Sequence, residues 1–511
     1  MILEHRVKKW EPVFGNKRCD QHKNADFACA KPLSFPLFVR LIALGSGAQW
    51  GTVGLAGAAL FADRQEDSDR VRMTTSTHLI HSRRFLPLFV TQLLNAFNDN
   101  LFKNAVVLYV VYSLYNSEAE EAKFTAIASA LFILPFFILS ALSGQLADMR
   151  DKAKIIRIIK ACEIGIMAVG ALGLLLAWKG IAVTQFAIPL MLAAVFLMGV
   201  HSTFFGPIKY AILPQHLHAD EVLAGTGLVE AGTYMAVLGG TIIAGWIPVQ
   251  WAALGVILTA VVGYMTARAV PPAPPAEKGE PLDFHLLRAS FQLVNKTAHE
   301  SRIFLAIMAI SFFWTIGAVL FIQFPPLAKN VLNASKEVAS LFLVIFSVGI
   351  AIGSISVNAL LKGRVSARFS PGSVVMMGLF IVALHLVCKV WTTDRSHGLM
   401  DVRMFIAQPL APWLLASLLG IAVAGGMFVV PLYAFLTTIS DKSETARTIA
   451  ANNIVNSGAM VIGSILAVAL SALHVAIGDQ LLLSAGMCVV SAWLGWMLYK
   501  AECKAVAEGR H

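Results

Sequence analysis

PIKYAIL, residues 207–213, and PLYAFL, residues 431–436, are two versions of one phrase. A second pair, LAGTGLVEAG at 223–232 and IAANNIVNSG at 449–458, follows each of them at nearly the same separation. Two phrases repeated in the same order are what an internal duplication leaves behind. In a membrane chain they imply two halves related by an axis along the membrane normal, with a substrate site between them near the midplane. The alignment sets Glu230 opposite Asn456 and leaves Lys209 without a counterpart, so charge is concentrated in the first half.

The surroundings of the repeat are apolar. The 511 residues are 57% hydrophobic and 14% charged, with a mean hydropathy of +0.71; soluble domains carry about 25% charged residues. Spans of about 20 apolar residues are needed to cross a bilayer, and twelve are expected from residue 85 onward. They lie near 85–114, 123–147, 153–178, 183–212, 222–247, 250–269, 303–328, 338–361, 373–391, 410–437, 447–472 and 480–499. Their length excludes a transmembrane barrel. The expected fold is an all-α integral membrane protein of twelve helices in two pseudo-symmetric six-helix bundles.

Basic residues fall in alternate loops. Arg83, Arg84, Arg150, Lys152, Lys154, Arg157, Lys160, Arg268, Arg288, Lys296, Arg302, Lys362, Arg364 and Arg368 share one side, whereas the first loop opposite carries Glu118, Glu120 and Glu121 against Lys123. The positive-inside rule then puts both ends of the twelve-helix body in the cytoplasm. The net charge of +10 is accounted for by these loops, so no nucleic-acid partner is expected.

Residues 73–270 and 303–500 are the expected bundles, 501–511 a cytoplasmic tail, and 271–302 a linker that begins with the proline-rich PPAPPAEKGEP. Within the linker Phe284, Leu287, Phe291 and Val294 recur at helical spacing. They suit either an amphipathic helix on the membrane surface or an extension of the seventh span. Residues 1–72 read as an N-terminal extension. It either contributes a further apolar segment at 35–61 or lies upstream of an effective start at Met73. Six cysteines without C-x-x-C spacing suggest neither a metal site nor a disulfide framework.

The first span contains QLLNAFNDNLFKNA, residues 92–105. At ~1.5 Å per residue, Asp99 stands roughly 22 Å beyond Arg84, well inside the hydrocarbon. A charge there is costly, and function is its default explanation. Lys103 follows at i+4 on the same face, where the two would partly neutralise each other. Asn95, Asn98, Asn100 and Asn104 are suited to interhelical hydrogen bonds. Further polar groups inside the spans are Glu163, His201, Lys209, Glu230, Asn452, Asn453 and Asn456. His201 reads as a satisfied interior histidine. Lys209, after the Gly206-Pro207 break, reads equally as a snorkelling lysine.

GQLADMRDKAK, residues 144–154, resembles the G-x-L-A-D-R-x-G-R-K loop of the major facilitator superfamily, with Met149 where an arginine is expected and Arg150 one place late. Gly144, Asp148, Arg150 and Lys152 would form a gating loop able to latch one conformation and release in another. LNAFNDNLFKNA, GQLAD, FFGPIKYAILP, GLVEAG, FFWTIGAVL and GGMFVVPLYAFL together resemble the lysophospholipid transporters of that superfamily. They are similar in particular to the membrane portion of bacterial proteins that fuse such a transporter to an acyltransferase. The likeness runs from about Arg84 to about Lys500.

The resemblance implies flipping of lysophospholipids, chiefly lysophosphatidylethanolamine, across a bacterial inner membrane by alternating access, for reacylation. It makes Asp99 and Lys209, with Lys103 and Asn100 beside them, the candidate substrate-binding residues. Lys209 would attract the phosphate while Asp99 meets the headgroup amine or a coupling cation. Glu230, Glu163 and Asn456 are candidates for coupling or conformational roles. Phe321 stands where some of these transporters carry arginine, which puts headgroup preference in doubt. No cofactor is expected; a proton or sodium gradient is the candidate for coupling. The expected partners are the lysophospholipid, membrane lipid and a separate acyltransferase, with this chain supplying only the flippase.

Two other classes stay open on the residues. The gating loop alone permits a facilitator of another small amphiphile or drug. His474 and Asp479 form an H-x4-D spacing like an acyltransferase box, but in a short loop with no catalytic domain after it. Chance explains that spacing better, and an enzyme is not expected.

Overall fold

A computed structural model describes residues 78–114, 118–275, 282–392, 398–441, 443–473 and 475–508. The extension 1–72, half of the proline-rich linker and His474 lie outside these residues. Twelve helices of 20 residues or more are present among them. They are α1 (Leu86–Ser113), α2 (Glu118–Met149), α3 (Lys152–Trp178), α4 (Ile188–Ala211), α5 (Val222–Trp246), α6 (Val249–Arg268), α7 (Ser301–Pro326), α8 (Lys336–Leu361), α9 (Ser370–Val390), α10 (Ala411–Ile439), α11 (Thr445–Ala472) and α12 (Ile477–Ala507). Eleven are long and apolar enough to cross a membrane; α1 is the twelfth and falls short on composition, because its centre is the asparagine-rich stretch. The α2 helix begins at Glu118, inside the acidic segment expected to be loop.

Local chemistry marks the ends. Asp151 caps α3, its carboxylate accepting the Ala153 N–H. Pro87, Pro371 and Pro412 occupy the first turns of α1, α9 and α10, where the missing N–H leaves no bond unmade. Many large apolar side chains face outward, among them Trp246 (86% exposed), Val489 (70%) and Ile462 (68%). In water such a surface would aggregate; here it is the face offered to lipid.

Packing repeats with the sequence. In the first half α1 packs on α5 and α6, α4 on α2 and α3, and α3 on α6. In the second, α7 packs on α11 and α12, α10 on α8 and α9, and α9 on α12. Adding six to each helix number converts one set into the other. The main contacts between the halves, α2 with α11 and α5 with α8, convert into each other in the same way. Both crossings depend on glycine. A Cβ on Gly144 would stand 2.7 Å from the Ala450 Cβ and 2.9 Å from the Arg447 Cα, and one on Gly227 would overlap the Ser354 carbonyl oxygen. These crossings lie toward the end that carries the 150–154 loop, where the halves are closed against each other.

The linker forms its own helix, Leu286–His299, ended by an extended Glu300 before α7 starts. It is therefore not an extension of the seventh span. Its small residues Ala289, Ser290 and Thr297 are buried, whereas Phe284, Leu287 and Phe291 are 71%, 67% and 75% exposed. An uncovered apolar stripe beside Arg288 and Lys296 suits a helix lying in the membrane interface.

Candidate functional site

Three helices each turn one polar stripe toward the space between the halves. On α1 the stripe is Gln92, Asn95, Asp99, Asn100 and Lys103; on α4 it is Ser202, Gly206, Lys209 and Tyr210; on α11 it is Asn453, Asn456 and Ser457. The three-to-four-residue spacing keeps each stripe on one helical face. Phe132, Ile133 and Phe136 of α2, Thr233 and Val237 of α5, Trp314 of α7 and Tyr433 of α10 also line the wall. The cavity has a volume of ≈ 360 Å³. Asp99, Asn100, Lys103, Lys209 and Asn456, drawn from three separate parts of the chain, are thus brought to one place. Lys209 lines the cavity and does not reach for the membrane interface.

Asp99 is 7% exposed. Its Oδ2 accepts from Ser202 Oγ and, at 3.1 Å, from Asn95 Nδ2, while Oδ1 has no hydrogen-bond partner among the described residues. Asp99 and Lys103 form no ion pair; the Lys103 ammonium lies over the Phe132 ring, 5.3 Å from its centre. Lys209 similarly lies over the Tyr210 ring at 4.8 Å. Neither ammonium makes a close ion pair with Asp99 or Glu230, although both carboxylates lie near enough to act on them through charge. Asn100 donates to the Ala96 carbonyl at 2.8 Å and, through its own carbonyl, accepts from Asn104, which also reaches Thr241 of α5.

The repeated tyrosines meet. Tyr210 and Tyr433 stack across the two halves with centroids 4.7 Å apart and planes 6° from parallel. Tyr210 donates to Glu230, its neighbour in the repeat, which is buried behind the cavity wall. The Tyr433 hydroxyl instead accepts from Trp314 Nε1 at 2.9 Å and Asn452 Nδ2 at 3.5 Å. Asn456, the counterpart of Glu230, accepts from Ser311 Oγ at 2.7 Å. Thus the same backbone plan supports a carboxylate in one half and neutral amides in the other.

Glu163 does not line the cavity. It pairs with Lys160, accepts from Asn98 Nδ2 at 2.8 Å and stands 3.4 Å from His201 Nε2. Lys160, counted in the sequence among the loop cations, is in fact fully buried, and at 3.3 Å it donates to Asn95 Oδ1. A polar chain therefore runs from Asp99 through Asn95 and Lys160 to Glu163. His201 is buried with its Nε2 turned to the Glu163 carboxylate, as an interior histidine with a polar neighbour.

In the gating loop Asp148 accepts the backbone N–H groups of Ala446 and Arg447, each at 2.9 Å. These are first-turn donors of α11, where an anion is favoured by the helix dipole and by the unpaired amides. Gly144, one turn earlier, allows that approach. Lys152 is buried, its ammonium without a hydrogen-bond partner among the described residues, and Arg150 is exposed. Phe321 lies elsewhere, edge-on to Phe324 and Phe346, against a separate crevice. Asp479 stands 3.9 Å from His385 at the start of α12, largely exposed. The sequence did not mark Lys160, Ser202, Trp314 or the tyrosine stack as parts of the site. The repeated YA in both phrases was the available signal for the last of these.

Comparison with known proteins agrees with this architecture. Residues 88–463 match the family model of the Major Facilitator Superfamily. The lysophospholipid transporter LplT of Salmonella heidelberg is 24% identical over 406 residues, covering 77% of this chain and 89% of that protein; the Salmonella typhi protein of the same name matches equally. Among solved structures, a bacterial homologue of the iron transporter ferroportin in an outward-facing state superposes with a TM-score of 0.59 at 15% identity, covering 82% of this chain and 99% of that one. The proton:xylose symporter XylE gives 0.59 at 14% identity, with 83% and 96% covered. Helix order, paired contacts and family match lead to one statement: the chain belongs to the major facilitator superfamily and is a multi-pass integral membrane transporter.

Proposed function

We propose that the protein moves lysophospholipids, chiefly lysophosphatidylethanolamine, across a bacterial inner membrane by alternating access, with both ends of the helical body in the cytoplasm. The observation that carries this reading is the cavity between the halves. It presents a buried carboxylate with one oxygen that has no hydrogen-bond partner among the described residues, beside two ammonium groups, Lys103 and Lys209, that lie over aromatic rings rather than in close ion pairs. An unmet buried acceptor costs about 1–3 kcal/mol, which a ligand amine at Asp99 Oδ1 would offset. Lys209 and Lys103 would take the phosphate. A space of ≈ 360 Å³ holds a headgroup and leaves the acyl chain among the phenylalanines or in lipid.

Closure at the 150–154 end, latched by Asp148 on α11, would correspond to a state open to the opposite side. Breaking the latch would admit the other state. Glu230 and Glu163, buried behind the wall, would be the groups that respond to a proton or sodium gradient. The product would pass to a separate acyltransferase. Similarity to proteins named as lysophospholipid transporters supports the substrate class.

The test is uptake of labelled lysophosphatidylethanolamine into proteoliposomes, with lysophosphatidylglycerol and a soluble sugar as comparisons, under imposed proton or sodium gradients. Saturable lysolipid entry is expected, falling on the order of tenfold or more in Asp99→Asn and in Lys209→Gln. Wild-type rates in both folded variants would sink the assignment of these residues. Competition by unrelated amphiphiles but not by lysolipids would favour a drug facilitator instead.

A further inference from the structure

A second concavity lies on the opposite face of α4 from the transport cavity. While Ser202, Gly206 and Lys209 face the centre, Leu197, Val200 and Phe204 face a crevice bounded by α2 and α3, with a volume of ≈ 970 Å³. Its walls are Ile158, Ile159, Cys162 and Ile166 of α3 and those α4 residues, and its mouth is Arg150 and Lys154 beside Pro274 and Pro275.

The mouth is cationic in effect. Asp151 also lies there, one carboxylate against the two cations Arg150 and Lys154, and its Oδ1 accepts the N–H groups of Ala153 and Ala273, at 2.9 and 3.0 Å. Arg157 turns away to the Val270 carbonyl. Arg150 and Lys154 are exposed, and neither makes an ion pair or side-chain hydrogen bond among the described residues. Between Lys154 and Ile166 the α3 helix advances roughly 18 Å at ~1.5 Å per residue. That is close to one leaflet of a roughly 30 Å hydrocarbon core. Leu197 and Ile166 are its lining residues farthest along α4 and α3 from the loop.

We propose that this crevice is a binding site for an anionic glycerophospholipid of the leaflet on the loop's side. One acyl chain would lie along α3 and α4, and the phosphate would sit between Arg150 and Lys154. Charge complementarity and the one-leaflet length select this occupant over bulk zwitterionic lipid, since each basic residue near the surface favours an anionic lipid by about fivefold. The site is separate from the transport cavity and does not depend on which substrate that cavity carries.

The experiment uses the full chain in phosphatidylcholine nanodiscs doped with phosphatidylglycerol that carries a diazirine in its acyl chain. After irradiation, labelled peptides are mapped by mass spectrometry. Labelling is expected within 158–166 and 197–204, displaced by unlabelled phosphatidylglycerol but not by phosphatidylcholine. Lys154→Gln should weaken that displacement about fivefold. Leu197→Trp should fill the crevice and abolish the labelling; should it fail to fold, Val200→Phe serves the same end. Asp99→Asn should leave labelling unchanged while stopping transport, which separates the two readings. Labelling spread equally over the lipid faces of α5 and α12 would overturn the proposal. So would equal displacement by phosphatidylcholine, or displacement by lysophosphatidylethanolamine ahead of phosphatidylglycerol.

Discussion

The first half buries Lys160, Glu163, His201 and Glu230 behind the cavity and turns Asp99, Lys103 and Lys209 into it, whereas the second turns the neutral Trp314, Tyr433, Asn453, Asn456 and Ser457 into it. The helix contacts of the two halves nevertheless correspond pair for pair. Packing is a collective property of many small contacts and tolerates little change once two halves must close on each other. Charge is a point property: one substitution, Glu230 against Asn456, alters what a position recognises without moving a helix. On the proposed function, the charged half would grip a polar headgroup and the neutral half would supply the matching wall.

The sharpest way to break this contrast is at the charged cluster with no counterpart in the second half. Glu163→Gln or Lys160→Met leaves the other member buried and uncompensated, which costs about 3–5 kcal/mol. Thermal unfolding in detergent should show it, and Lys160→Met with Glu163→Leu should recover much of the loss. Single variants as stable as wild type would mean that the cluster is hydrated and that the halves differ less than their burial indicates.

Next in size is the seam itself. Gly144→Val forces α2 from α11 and disfavours the closed state by about 1–3 kcal/mol. Distances between spin labels placed on the loop ends of α3 and α12 should lengthen in the variant. An unchanged distribution would show that the latch at Asp148 holds without close approach.

The stacked tyrosines compare the halves within one motif. Tyr210→Phe strips a buried carboxylate of a hydrogen bond, worth about 1.5–3 kcal/mol, whereas Tyr433→Phe removes neutral bonds from Trp314 and Asn452, worth about 0.5–1.5 kcal/mol. Equal losses in unfolding measurements would contradict the electrostatic difference between the halves. The smallest effect is expected at Lys296 and Glu444, 2.6 Å apart but largely exposed, which joins the surface helix to α11. Lys296→Gln should cost less than about 1 kcal/mol and less still in high salt. A larger loss of transport would make the surface helix part of the closure.

Much of this was legible in residue order. The spans from 153–178 to 447–472 coincide with α3 to α11 within a few residues, because hydropathy over a bilayer's width is a local property. Asp99 and Lys103 of the polar stretch at 92–105 line the cavity between the halves, whereas the stacking of Tyr210 on Tyr433 was not read from the repeat. Nor was the pairing within that stretch legible. A spacing of i+4 permits an Asp99–Lys103 ion pair, yet Ser202 and Asn95 take the carboxylate and Phe132 takes the ammonium. Lys160 looked like a loop cation because it stands near Lys152 and Lys154, but helical rotation turns it inward to Glu163.

By itself, then, the sequence determined the membrane class, the number and positions of the helices, the duplication and the polar stretch that a bilayer would not tolerate without cause. These depend on composition and periodicity along the chain. Only the tertiary structure decided which stripes face one another, that Asp99, Lys209 and Asn456 share a cavity, and that Asp148 reaches the first turn of α11. Those contacts join segments far apart in sequence, and their partners are selected by helix rotation and by the fit of one half against the other, which no local pattern records.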